Sequence, residues 1–151
     1  MKIYNIKEKQ NFIREVAELT EKEWGKYKDI NEFNEKVIKK INKIKNNLNN
    51  NNYCKLILLD KNELIGFISI FETDGEERKD LSPWYATMYV KKEYRKKGYS
   101  KLLNNAILKE AKKLGYEKIY LKSELNGYYE KFGAIYIEDL KNGEKLYYIK
   151  I

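Results

Sequence analysis

The chemistry this chain offers is concentrated between Tyr89 and Leu103, in YVKKEYRKKGYSKLL. A β-type run, WYATMYV from Trp84 to Val90, enters a loop rich in lysine, and Gly98 stands where a helical pattern begins. At such a junction the backbone N–H groups of Lys96, Lys97, Gly98, Tyr99, Ser100 and Lys101 have no helical acceptor and point into the mouth of the loop. The positive end of the helix dipole adds to them, making an anion site that suits a pyrophosphate. The basic side chains from Lys91 to Lys101 also fit a solvated face or a nucleic-acid patch, and the stretch by itself leaves those alternatives open.

The rest of the reactive inventory is narrow. A histidine count of zero removes Ser-His and Cys-His arrangements and most zinc sites. Chemistry is left to Tyr, Glu, Asp, Lys and the backbone. The single cysteine, Cys54, has no partner for an intramolecular disulfide and reads as a small buried hydrophobe in a strand.

These groups need a scaffold, and 151 residues provide for one domain spanning 1–151. Hydrophobic residues at 42% and 14 tyrosines supply a core, so disorder is not expected. The net charge of +8 implies attraction to anions without naming them. Lysine dominates that charge, the only arginines being Arg14, Arg78 and Arg95. The N-terminal residues lack the apolar run of a secretory signal, and the longest apolar stretches fall short of the ~20 residues that span a bilayer. A cytoplasmic protein without a membrane partner is expected.

The periodicity predicts two amphipathic helices at the start of the chain, one through Phe12, Ile13, Val16 and Leu19, the other from Ile30 to Leu48 with Asp29 or Asn31 as its cap. An asparagine-rich connector, Asn46–Tyr53, follows. Tyr53–Leu59 and Leu64–Phe71 flank the turn DKNE as a hairpin, and Trp84–Val90 is a third strand. A third helix runs from Gly98 to Leu114, with Gly115 placed to end it. Lys118–Glu124 reads as a strand, Asn126–Phe132 as a short helix, and the chain closes on a hairpin around Asn142-Gly143. The helix between WYATMYV and KIYLKSE makes those two strands a parallel pair in an otherwise mixed sheet.

Arg95-Lys96-Lys97-Gly98-Tyr99-Ser100 resembles the signature of the GNAT superfamily of N-acetyltransferases, which is Arg or Gln, two residues, Gly, one residue, then Gly or Ala. Ser100 departs from the last position but keeps its N–H. A second match, Tyr128-Tyr129-Glu130-Lys131-Phe132-Gly133-Ala134, resembles the family's aromatic-Tyr-Glu-Lys-x-Gly-Phe segment, with Ala134 in place of Phe. The order of elements agrees over nearly the whole chain. The resemblance implies an α/β fold of the α+β kind, with a mostly antiparallel central sheet, one parallel strand pair and about four flanking helices.

It also implies acetyl-CoA as the acetyl donor, with the pantetheine arm between the diverging fourth and fifth strands of that fold. Met88, Tyr89 and Val90 would lie on one side of the arm and Ser123 to Asn126 on the other, while Arg95 to Lys101 hold the phosphates. Tyr129 matches the family's general acid; a phenol of pKa about 10 is a reasonable donor to a thiolate of about 8.5. Its alternative is a packed aromatic, as Tyr128 is expected to be. Candidate bases are Glu72, Asp80 and Glu124, and no metal is expected, since the carboxylates lack ligand spacing. The acceptor side is expected to use Trp24, Tyr27, Trp84 and Lys141–Glu144, where aromatics and carboxylates suit a small cationic amine. Expected partners are therefore a small-molecule amine, not nucleic acid, for a monomer or homodimer. The competing readings are a basic nucleic-acid-binding or CoA-sensing module without catalysis, and acetylation of a protein amine.

Overall fold

A computed structural model describes residues Met1–Ile151. A strand precedes the two expected helices: β1 spans Lys2–Asn5 and adds to the sheet edge through the register Ile3↔Leu58. The helical reading of the N-terminus missed it because four residues carry too little alternation to register as a strand. Two 3₁₀ turns then lead into α1 (Ile13–Trp24), followed by α2 (Ile30–Asn46). Asp29 caps α2, its carboxylate accepting from the Glu32 N–H at 2.9 Å.

The remaining elements are β2 (Cys54–Asp60), β3 (Glu63–Phe71), β4 (Trp84–Val90), α3 (Tyr99–Lys113), β5 (Lys118–Ser123), β6 (Ile135–Asp139) and β7 (Lys145–Lys150). Gly115, at φ +90°, ends α3, and the Tyr116 N–H reaches back to Ala111 O. The expected short helix after β5 is only a 3₁₀ turn, Tyr129–Phe132, so three α-helices flank the sheet. No helix is long and apolar enough to cross a membrane.

The seven strands run in the order β1-β2-β3-β4-β5-β7-β6, antiparallel except for β4 beside β5. Alternation along the strands sorts the core into two layers, its phase on β3 switching at the bulge where Leu58 pairs with Gly66 and Leu59 with Leu64. Leu56, Leu58, Ile65 and Ile68 face α3 and meet Leu103, Ile107 and Ala111. Ile57, Leu59, Leu64 and Phe67 face α1 and α2, meeting Val16, Phe33, Val37 and Ile41. Each such side chain contributes about 1.5–3 kcal/mol by leaving water. Gly66 lets β3, β4 and α3 approach closely: a Cβ there would stand 2.4 Å from Tyr89 O and 3.2 Å from a Leu103 methyl.

Two irregularities open the middle of the sheet. Between Phe67↔Tyr89 and Ser69↔Ala86 the partner strand β4 carries one residue more than β3, a bulge at which Thr87 adopts φ +49°. On its other side β4 pairs with β5 only at Trp84↔Tyr120, supported by Tyr120 N–H donating to Pro83 O at 3.0 Å. Beyond Trp84 the two parallel strands part, leaving that edge of β4 free.

Candidate active site

The basic loop folds into an anion cradle. Lys96 at φ +64° and Gly98 at φ +84° are both left-handed, a backbone alternation that turns successive N–H groups toward one point. None of the N–H groups from Lys96 to Lys101 donates to a backbone or side-chain acceptor in the chain, the first return bond of α3 being Leu102 N–H to Gly98 O. A Cβ on Gly98 would meet nothing within 4 Å, so the mouth is open. Unpaired N–H groups, the N-terminus of a 15-residue helix and surrounding lysines fit a pyrophosphate. Ser100 adds a half-buried hydroxyl at the same place.

Arg95 has a different posture from its neighbours. Its Nε donates to Val90 O at 2.9 Å and its guanidinium lies over the Tyr89 ring, 5.6 Å from the centroid. The side chain therefore braces the loop against the end of β4, and the N–H groups that follow it form the cradle. On β4, Met88 turns toward the α3 side, Tyr89 toward α1 and α2, and Val90 is buried.

Tyr129 stands at the far side of the strand gap, on the turn that follows β5. Its ring packs edge-on against Tyr85 of β4 and against Tyr128, with centroids 5.9 Å and 4.9 Å away. Burial first, and the neighbouring Tyr128 second, push its phenol up to about 12. Its hydroxyl makes no hydrogen bond within the chain and is not among the polar atoms sealed from solvent. A protonated phenol with a free oxygen beside an open strand edge has the properties of a proton donor. Tyr128 instead receives Lys131 over its ring at 4.5 Å. Asn126 is exposed in the loop between β5 and that turn.

On the α1/α2 face the expected acceptor residues separate. Trp24 is half exposed and meets Tyr89 edge-on at 6.3 Å, so it borders the site. Tyr27 is exposed and packs on Phe33 at 4.8 Å. Trp84 has no exposed surface, and its indole N–H donates to Leu81 O at 2.9 Å, which makes it a core residue. The Lys141–Glu144 turn is tied to the β3–β4 loop by Lys141 N–H donating to Glu77 at 3.1 Å. Among the carboxylates, Glu72 and Glu124 are exposed. Asp80 is gripped by Arg78 through two hydrogen bonds of 2.9 and 3.0 Å, which hold its carboxyl below the usual range and weaken it as a base.

Residues that the sequence reading passed over occupy this face. Lys55 is buried at 3% exposure on β2, with its Nζ 2.6 Å from Ser69 Oγ and 3.4 Å from Thr87 Oγ1. Asp74, in the loop after β3, has its carboxyl raised by burial, with Lys122 and Lys43 opposing the shift. For Lys55 the available signal was a lysine inside the apolar run YCKLILL, at the parity that faces the helices. Nothing in the sequence marks Asp74 off from the other acidic residues of its loop.

Comparison with known proteins shows a shared fold. Among solved structures, an aminoglycoside 6'-N-acetyltransferase complexed with coenzyme A has a TM-score of 0.72 at 18% identity, covering 98% of this chain and 94% of its own. The aminoglycoside 6'-N-acetyltransferase from Enterococcus faecium gives 0.72 at 16% identity over 99% and 97%. A spermidine N-acetyltransferase variant from Vibrio cholerae gives 0.70 at 19% identity over 99% and 95%. At such identities the likeness is one of fold. No curated protein matches the sequence significantly. The model of the acetyltransferase (GNAT) family matches residues 13–134, from α1 through the Tyr129 turn. With the anion cradle, the parted strands and the aromatic turn all inside that span, the chain belongs to the GNAT acetyltransferase family.

Proposed function

We propose that this enzyme transfers an acetyl group from acetyl-CoA to a primary amine of a small molecule. The observation that carries the reading is the run of unpaired N–H groups from Lys96 to Lys101, opening beside a strand edge that ends near the free hydroxyl of Tyr129. Acetyl-CoA supplies the activated acetyl group when bound. The N–H groups of Lys96, Lys97, Gly98, Tyr99, Ser100 and Lys101 would hold its pyrophosphate, and the edge of β4 at Met88, Tyr89 and Val90, with Asn126 across the gap, its pantetheine arm. N–H groups on that edge would serve the thioester carbonyl oxygen, since donors fixed in place stabilise developing negative charge. Tyr129 holds the proton for the leaving thiolate.

The acceptor enters from the α1/α2 face, past Trp24 and Tyr27. Acceptors of the related folds, aminoglycosides and spermidine, motivate polyamines and amino sugars as the first class to assay. The nucleic-acid alternative is disfavoured by the scarcity of arginine in the basic cluster, where Arg95 is the one arginine and its Nε already donates to Val90 O. The test is a thermal melt with acetyl-CoA against matched polyphosphate and oligonucleotide, then a panel of spermidine, an aminoglycoside and simple alkylamines with free-thiol detection. A shift from acetyl-CoA and thiol release with an amine are expected. A melt moved by oligonucleotide and not by acetyl-CoA would reverse the reading.

A further inference from the structure

Lys55 lies beneath the acceptor face with no carboxylate partner. A buried ammonium without a counter-charge is costly, so either its proton or its burial needs a reason. The groups around it come from three elements. Ser69 and the rings of Phe67 and Phe71 approach from β3, the rings at 5.4 and 5.6 Å. Thr87 approaches from the β4 bulge, and Lys40 and Lys43 of α2 add like charge, while Cys54 is its chain neighbour. The rings favour the ammonium by cation–π attraction, yet burial and the two lysines outweigh them. Burial, then Lys40 and Lys43, push the Lys55 amine down to about 7.

The hydroxyls beside it form a continuous line. Lys55 Nζ to Ser69 Oγ is 2.6 Å, and Ser69 Oγ to Thr87 Oγ1 is 2.7 Å. Thr87 is half-buried, at the bulge where β4 turns away from its neighbour, while Lys55 and Ser69 are buried. The line thus runs from a buried amine to the strand that borders the acceptor face. Each hydroxyl can donate inward and accept outward at once, as a proton relay requires.

We propose that Lys55, acting through Ser69 and Thr87, takes up the proton that the acceptor amine releases as it is acetylated; this rests on the acetyl-transfer reading above. The acceptor nitrogen bonds to the acetyl carbon and gives its proton to Thr87 Oγ1, Thr87 passes its own to Ser69 Oγ, and Ser69 passes its own to neutral Lys55 Nζ. The carbon–sulfur bond breaks, and the sulfur takes the electron pair and the Tyr129 proton. Exchange with water returns Lys55 and Tyr129 to their starting states. Lys55 is here a positioning residue that never touches the acceptor; an amine reacts only as its free base, and a neutral Lys55 Nζ is able to take the proton that nitrogen gives up in the reaction.

The test combines a titration with kinetics. Nuclear magnetic resonance of the Lys55 side chain in the folded protein is expected to show a midpoint near 7; a midpoint above 9 overturns the proposal. With acetyl-CoA and whichever panel amine is acetylated, kcat of the wild type is expected to fall below pH 7. Lys55→Met should lose that acid limb and about 100-fold in kcat at neutral pH, with acetyl-CoA affinity unchanged. Should Lys55→Met not fold, Ser69→Ala and Thr87→Val break the line with Lys55 in place, and the same loss is expected. An unchanged acid limb in the folded variants overturns the relay. A raised KM for acidic acceptors with kcat intact also overturns it, assigning Lys55 to substrate charge recognition. Absence of acetylation with any amine, despite a Lys55 midpoint near 7, would count against the acetyl-transfer reading instead.

Discussion

The Tyr129 ring meets Tyr85 edge-on, with centroids 5.9 Å apart and planes at 84°. The two hydroxyls differ in what they do. Tyr85 donates to Met88 Sδ at 3.3 Å, whereas the Tyr129 oxygen has no partner within the chain. Tyr129→Phe therefore removes no internal hydrogen bond and keeps the ring contact, so the melting temperature should stay within about a degree of wild type. Turnover should fall roughly 100-fold, equivalent to about 2.7 kcal/mol of barrier, with little change in acetyl-CoA affinity. Tyr128→Phe is the matched control and should stay near wild type in steady-state assays.

Saturating acetyl-CoA should stabilise the protein by about 2.7 kcal/mol at a hundredfold excess over Kd. Gly98→Val should abolish that shift. Its φ of +84° is costly for a branched residue by about 1–2 kcal/mol, and the new side chain projects into the open mouth of the cradle. Titration calorimetry and a melt without ligand separate the two effects. A variant that keeps wild-type acetyl-CoA affinity would remove the Lys96–Lys101 loop from the binding site.

Gly66→Ala addresses the scaffold. The added methyl would stand 2.4 Å from Tyr89 O, a backbone atom that cannot swing aside, so β3, β4 and α3 must shift together. Overpacking of this kind costs about 1–3 kcal/mol, read as a lower urea midpoint with unchanged slope.

Stability should bend with pH at both ends of the alkaline range. Burial raises the phenols of Tyr53, Tyr85 and Tyr129 above the unfolded value of about 10. Above pH 10 the unfolded chain loses those protons first, so their contribution is fully present below pH 10 and declines as pH rises. Lys55 acts in the opposite sense. Its folded pKa of about 7 lies below the unfolded value, so the unfolded chain holds the extra proton between about 7 and 10.4, and stability rises with pH across that window. Lys55→Met should flatten the rise and leave the decline above pH 10, as followed by urea unfolding from pH 6 to 11.

Much of this protein was legible in its sequence because the signals are local. The β4–loop–α3 junction announces itself through Trp84–Val90, the lysines and Gly98, and the helix dipole and free N–H groups follow from any such junction. Asp29, Gly115 and the Asn142-Gly143 turn act on their immediate neighbours, so cap and turn chemistry is written where it operates. Pairings across distance were decided only by the tertiary structure. Parity and register bring Lys55, Ser69 and Thr87 of three strands into one line, and the β4 bulge sets where that line ends. Trp84 reads as an aromatic able to contact a ligand, yet the fold gives its indole to Leu81 and closes the core over it. Asp80 resembles any surface carboxylate until Arg78, itself also joined to Glu138 of β6, folds onto it. In each case the deciding energy is desolvation or a contact between segments far apart in the chain, and neither exists before the sheet has assembled.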